Sequence, residues 1–235
     1  MKDQYVGDVN DYFKYSLLRE LGEAIAGRLR VCWMLTPPDG RTDGGLTGYL
    51  AQSDRFRAID PPLFDALARI VDDGTRSVAA VERADVLPGA WFDSTVVPQG
   101  PAERAAWLDS FLRKATSQDV LFFDPDNGLE ITSVPRGRRH SDKYVYWDEV
   151  AAALQTPASV VIYQHFPRKP REFFLRSLLV SLGTLAPGRH LLAIYTSRVA
   201  YLIAASARHE HALHEASSRV AARWHARLYV ADCVV

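Results

Sequence analysis

Four acidic or amide side chains, Asp124, Asp126, Asn127 and Glu130, stand directly behind the unbroken apolar run of residues 120–123. Side chains of this type accept hydrogen bonds from an amine, hold a hard divalent cation through oxygen, or exchange a proton. Pro125 and Gly128 also make the stretch good turn chemistry, since Asp and Asn bond their own backbone and Gly takes positive φ. A turn needs one or two such residues, however, and this one has more. A second dense group lies near the start, where Gly7, Asp8, Asn10, Asp11, Tyr12, Lys14 and Tyr15 fall within nine residues. Asp11 and Lys14 are three apart, so on a helix they stand together, as a solvated ion pair or as part of a site. A third group is Gln164 and His165, the polar groups at which the buried-strand pattern of residues 159–165 stops; a histidine there is either hydrogen-bonded structure or a proton carrier.

These groups need elements to hold them. Residues 120–123, closed by Asp124 and Pro125, read as a strand covered on both faces, the kind found in parallel α/β sheets. Ligands bind beyond the carboxyl ends of such strands, where Asp124 to Glu130 would lie. Tyr12, Tyr15, Leu18, Leu21 and Ile25, spaced by three and four, predict a helix that Asp8 or Asn10 caps and Gly27 ends. Residues 30–36 read as a strand broken by Pro37 and Pro38. The loop after it carries Asp39, Gly40, Gly44 and Gly45, and missing side chains there let backbone amides approach a nucleotide-like ligand. Neither a dinucleotide fingerprint nor a P-loop is present.

Further on, the pattern predicts helices over 61–71, 101–116, 145–154, 171–182 and 210–224, and strands over 91–97, 159–165, 190–195, 199–204 and 227–234. Together they give a single α/β domain over 1–235 with a Rossmann-like, doubly wound, mostly parallel sheet flanked by helices and a reversed last strand. The composition, 48% hydrophobic and 24% charged, is that of an ordinary globular protein. No uncharged apolar run approaches the ~18 residues of a membrane span. The first residues lack the apolar core of a secretion signal, so a cytoplasmic location is expected.

A formal net charge of zero gives no global pull toward nucleic acid. Local basic clusters do occur, at Arg136, Arg138, Arg139 and Lys143 in a polar connection whose length fits a mobile substrate loop, and at Arg168, Lys169 and Arg171. Cys32 and Cys233 sit inside apparent strands and form neither a zinc pattern nor a disulfide framework. His209, His211 and His214 read as a solvated helix surface, since no pair has the i, i+4 spacing of a one-face ligand pair.

Three stretches in order also resemble a known family. Gly7-x-x-x-Asp11-x-x-Lys14-Tyr15 on a first helix, the strand and glycine-bearing loop from Leu35 to Gly45, and the strand ending Phe123-Asp124-Pro125 resemble the J-type S-adenosylmethionine-dependent adenine-N6 methyltransferases of large-subunit ribosomal RNA. The resemblance implies a methyltransferase-like fold and a cofactor held near Gly7, Asp11, Lys14, Thr36, Asp39, Gly40, Gly44 and Gly45. It implies a target amine met by Asp124 and the Pro125 carbonyl, with Asp126, Asn127, Lys14 and His165 beside them, and phosphates met by Arg136, Arg138, Arg139, Lys143, Arg168 and Lys169. In the family the catalytic motif continues with a second proline and an aromatic residue; here Asp126 and Asn127 stand in their place, so a stacking surface must come from Phe166 or Tyr144.

Three functions follow. The first is methyl transfer from S-adenosylmethionine to a nucleic-acid or nucleotide amine, with no metal. The second is a Mg2+-dependent phosphoesterase or nuclease, in which Asp8, Asp11, Asp124, Asp126 and Glu130 gather one or two cations and Lys14 or His165 assists. The third is a catalytically inactive, methyltransferase-like binding subunit. Both enzymatic readings require Asp11 and Asp124 to face one crevice.

Overall fold

The computed structural model describes residues 1–37, 40 and 44–231. Asp39 of the expected cofactor loop, and Cys233, lie outside the described residues. The first helix, α1 (Val9–Ile25), begins at Asp8, whose carboxylate accepts from the backbone N–H groups of Asn10 and Asp11 at 2.7 and 3.0 Å. It stops where Ala26 turns left-handed. At Gly27 a Cβ would lie 2.1 Å from the carbonyl oxygen of Gln118, so only glycine lets the chain pass there into the first strand.

Seven strands form the central sheet: β1 (Arg28–Cys32), β2 (Trp91–Asp93), β3 (Asp119–Phe123), β6 (Ser159–His165), β7 (His190–Tyr195), β8 (Val199–Ala205) and β9 (Arg227–Ala231), in the order β2-β1-β3-β6-β8-β7-β9. The strands β2, β1, β3 and β6 are mutually parallel, while β8 runs antiparallel to β6 and β7, and β9 antiparallel to β7. Five strands therefore share one direction. The expectation of one reversed strand is corrected to two, for a simple reason. Only residues 196–198 join β7 to β8, too few for a crossover, so β8 must fold back as a hairpin and fills the gap between β6 and β7.

Helices cover both faces. On one, α1, α3 (Pro61–Asp72), α4 (Val78–Arg83) and α8 (Glu210–Trp224) pack over Val120, Phe122 and Val161. On the other, α5 (Pro101–Leu112), α6 (Trp147–Leu154) and α7 (Arg171–Leu185) pack over Leu121, Phe123 and Val160. Alternate residues of β3 thus enter two different cores and all five are buried, which is why residues 120–123 are continuously apolar rather than alternating. A short helix, α2 (Ser53–Phe56), and α4 were not predicted.

The predicted strand 30–36 ends early because Met34 takes φ +47, leaving a single bridge between Leu35 and Val96. A second, two-stranded sheet pairs β4 (Gly128–Leu129) with β5 (Tyr144–Val145). Among the described residues no helix is long and apolar enough to cross a membrane.

Candidate functional site

The chain leaves β1 toward β2 on one side, and leaves β3 toward β6 on the other. The β1/β3 boundary is therefore the switch point of the sheet, where neighbouring connections diverge and leave a crevice. A cavity of about 380 Å3 opens there, within the range of small-molecule sites. The start of α1 contributes Asp8, Asn10, Asp11 and Lys14; the segment after β3 contributes Asp124, Pro125, Asp126 and Asn127; the end of β6 contributes Tyr163 and His165.

At its centre the Lys14 ammonium lies 2.8 Å from Asp11 Oδ1 and 2.7 Å from Asp124 Oδ2, both side chains being almost wholly buried. The rings of Tyr15, Trp33 and Tyr163 stand 5.2, 5.8 and 5.5 Å from the same nitrogen. Tyr15 donates its hydroxyl to Asp11 Oδ2 at 3.0 Å. Two carboxylates thus share one cation. Burial pushes Asp11 up to about 7, since Lys14 only partly offsets it and the charges of Asp8 and Asp124 add to it. Burial alone would lower Lys14, but the charges of Asp11 and Asp124 outweigh it and hold the ammonium protonated above its ordinary range. Desolvation likewise raises Asp8.

Asp126 occupies a different balance. The amino group of Met1 lies 2.7 Å from its Oδ1 and also donates to the carbonyls of Met34 and Asp124. Thr36 donates to Oδ2 at 2.9 Å and the Lys2 ammonium is 3.7 Å away. Burial would raise this carboxyl, but these partners overcome it and hold it below its usual value. His165 pairs with the Tyr163 hydroxyl through Nε2 at 3.1 Å. Its edge is open to solvent, yet the protein crowding the ring lowers its pKa against the pull of Asp124 and Asp126.

The loop carrying these groups is clamped. Gly128 has φ +107, and a Cβ there would come within 2.5 Å of the Gln164 amide. Buried Gln164 accepts from Leu129 N–H at 2.8 Å and donates to the carbonyls of His165 and Asn127 at 2.7 and 3.4 Å. Asn127 N–H and Glu130 N–H donate to the carbonyls of Lys143 and Val145.

The cavity therefore unites Asp8, Asp11, Lys14, Gly44, Asp124, Asp126, Asn127 and His165. Other expected residues lie elsewhere. Gly7 has φ +85 and lies against α3, where a Cβ would meet Val71 at 2.6 Å, so it serves helix packing. Thr36 backs Asp126 from behind, and Gly40 and Gly45 do not reach the cavity wall. Glu130 is taken by the backbone N–H of Trp147 at 2.9 Å and belongs to the start of α6, so the five expected carboxylates do not converge. Among the described residues no group of three or more His, Cys, Asp or Glu side chains can hold a metal ion. Between Asp11 and Asp124 stands an ammonium instead.

The basic connection also departs from expectation. Buried Arg104 donates to Glu149 through Nε and Nη2 at 2.6 and 2.9 Å and to the carbonyls of Ser141 and Tyr144 at 3.0 and 2.6 Å, holding the end of the basic connection, residues 141–144, against α5 and α6. Arg136 pairs with Asp148 and lies 4.6 Å over the Tyr146 ring, while Arg138, Arg139 and Lys143 are absent from the cavity wall. Arg168 and Lys169 are exposed, beyond His165 rather than inside the cavity. His209 is buried with Nδ1 3.0 Å from Ser159 Oγ, not on a solvated surface, whereas His211 is exposed.

Neither a scan against protein-family models nor a search of curated proteins returns a match to this chain. The reading of the site thus rests on its own geometry. Five of the described lining residues escaped sequence reasoning: Met1, Tyr5, Leu46, Tyr163 and Arg198. Arg198 had a signal: a three-residue turn after β7 must lie at the same sheet rim as Asp124.

Proposed function

We propose that this chain transfers a methyl group from S-adenosylmethionine to an amine of a nucleic acid or nucleotide. The observation that carries the reading is the position of Asp124 and Pro125, at the carboxyl end of β3, on the wall of the cavity at the switch point. On that wall the positive sulfonium and ammonium groups of S-adenosylmethionine would face Asp8 above all, since Asp11 and Asp124 already share the Lys14 ammonium. When bound, the cofactor supplies an already activated methyl group, so the protein's task is alignment.

Each residue then has a defined part. Asp124 and the Pro125 carbonyl accept the N–H bonds of the target amine and aim its lone pair. Lys14 fixes the Asp124 carboxylate through its 2.7 Å contact and keeps it from rotating away. Asp11, pushed up to about 7 by burial, takes up the proton that the methylated amine sheds. His165, held largely neutral, offers a second acceptor at the mouth.

Calorimetric titration with S-adenosylmethionine tests the reading, together with transfer of labelled methyl to RNA by the wild type and by Asp124→Ala. Saturable binding that survives Asp124→Ala, with transfer lost, is expected. Absence of both heat and thermal shift would refute it. The inactive-subunit alternative requires Asp124→Ala to leave the biological activity intact. For the metal-dependent alternative no observation speaks, because Lys14 fills the space between Asp11 and Asp124 and Glu130 is engaged elsewhere.

A further inference from the structure

A second hollow, about 610 Å3, lies beside the first, between the start of α7, the β7–β8 turn and the connection from α8 to β9. Thr196 and Ser197 of the turn line this hollow, while the next residue, Arg198, lines the first cavity. One three-residue hairpin is thus the partition between the two.

Cations crown that partition. Arg171 donates Nε and Nη2 to the Ser197 carbonyl at 3.1 and 2.7 Å and lies 5.7 Å from the centre of the Phe166 ring. Phe166 in turn donates its N–H to the Arg198 carbonyl at 3.4 Å. Arg168, Lys169, Arg171, Arg198 and Arg227 are all exposed. In these segments Glu172 is the sole acid; it pairs with Arg227 at 3.4 Å and accepts from Tyr195 at 3.5 Å. The wall of the first cavity is rich in carboxylates and its rim is cationic, a gradient that suits a polyanion whose uncharged base goes inside.

We infer that this rim is the track of a single-stranded nucleic acid: phosphates run over Arg168, Lys169, Arg171 and Arg198, the reacting base enters the first cavity, and the neighbouring nucleotide lies in the second hollow. The inference rests on the function proposed above and names its substrate class. Two adjacent hollows separated by a narrow wall require two bases to be unstacked, which a single strand gives at little cost and a duplex resists. Phe166, half-buried under Arg171, is the aromatic ring set among the cations and the usual kind of partner for an unstacked base, while Trp224 and Tyr195 edge the second hollow with Trp224 packed on Tyr12 and Phe13. A lipid surface would meet a flat, basic face; these cations instead border concavities. The basic residues expected to meet phosphate at 136–139 are not part of the track.

The test is fluorescence anisotropy of a labelled short RNA, single-stranded and duplex, over a salt series, with wild type, the R168Q/K169Q/R198Q variant and the R136Q/R138Q/R139Q variant. Single strands should bind more tightly than duplex. The slope of log affinity against log salt, about −0.7 per neutralised phosphate for a single strand, should become shallower by about 2 in the first variant and stay unchanged in the second. Unchanged thermal unfolding of the first variant, and recovery of binding when the same positions carry R168K and R198K with Lys169 restored, exclude misfolding as the cause. Equal loss from the 136–139 variant, preference for duplex, or binding to anionic vesicles with the same variant dependence in place of RNA would overturn the inference. S-adenosylmethionine titration separates the two ideas. RNA binding through these residues without cofactor binding sinks only the methyl-transfer reading, whereas cofactor binding without RNA binding sinks only this one.

Discussion

Replacing Lys14 by methionine keeps most of the side-chain stem and removes the ammonium that Asp11 and Asp124 share. Both carboxylates are almost wholly buried and lie within 2.8 Å of that nitrogen, so the variant strands two like charges in a dry site. Removing one partner of a buried ion pair costs about 3–5 kcal/mol. For a chain of this size that corresponds to a fall in Tm of roughly 6–20 °C. The pH dependence is the sharper signature. Asp11 is already raised to about 7 in the folded protein, so between the ordinary carboxylate pKa and about 7 the native state binds more protons than the unfolded chain. Stability from this group is therefore present at low pH and declines as pH rises through that window. Without Lys14 the window widens upward, because neither carboxylate has a counter-charge, and the penalty should be far larger at about pH 8 than at about pH 5. Thermal or urea unfolding followed by circular dichroism at both pH values measures this, and the double variant K14M/D11N should recover part of the loss at the higher pH. A K14M protein within about 1 kcal/mol of wild type at both pH values, or equally destabilised at both, would refute the shared-cation account.

Arg104→Met should cost about 3–5 kcal/mol, since it strands buried Glu149, and should open residues 141–144 to limited proteolysis that the wild type resists. Gln164→Leu leaves the buried Leu129 N–H unpaired and should destabilise by about 1–3 kcal/mol in urea; on the proposed function it should also weaken the S-adenosylmethionine binding sought by calorimetry. Asp126 runs opposite to Asp11. Its folded pKa is lowered, so the stability it provides is present above the ordinary carboxylate pKa and is lost as pH falls through the lowered value; Asp126→Asn should flatten that acid limb of the unfolding profile.

The fold was largely legible because its strands announce themselves by what covers them. Residues 120–123 are apolar without interruption because Val120 and Phe122 enter one core and Leu121 and Phe123 the other. The first helix was legible by period, and its start by the Asp8 cap. What sequence reading missed was topological. The reversal of β8 was written in the brevity of residues 196–198, yet strand propensity says nothing of direction, and only the length of the connection does. The end of β1 was misplaced because Met34 adopts a left-handed backbone that side-chain pattern cannot reveal.

The site shows where residue type informs and where it misleads. Asp8, Asp11, Asp124 and Asp126 all reach one cavity, but the same acidity pointed to Glu130, whose carboxylate is spent on the backbone of Trp147. Likewise Arg136 carries the charge to meet a phosphate and uses it on Asp148. In each case a local backbone or neighbouring side chain claims the group first, a competition decided in three dimensions by a spacing of 12 or 17 residues and invisible to a count of charges. Lys14 gives the converse lesson. Read along the chain it has one obvious partner, Asp11, and the helix-surface value of that pair is small. Its second partner is 110 residues away, and the burial that this long-range contact imposes turns a modest surface pair into the electrostatic centre of the cavity. The proposed chemistry depends on that second contact rather than on the first, because only the bond to Asp124 fixes the acceptor that faces the amine.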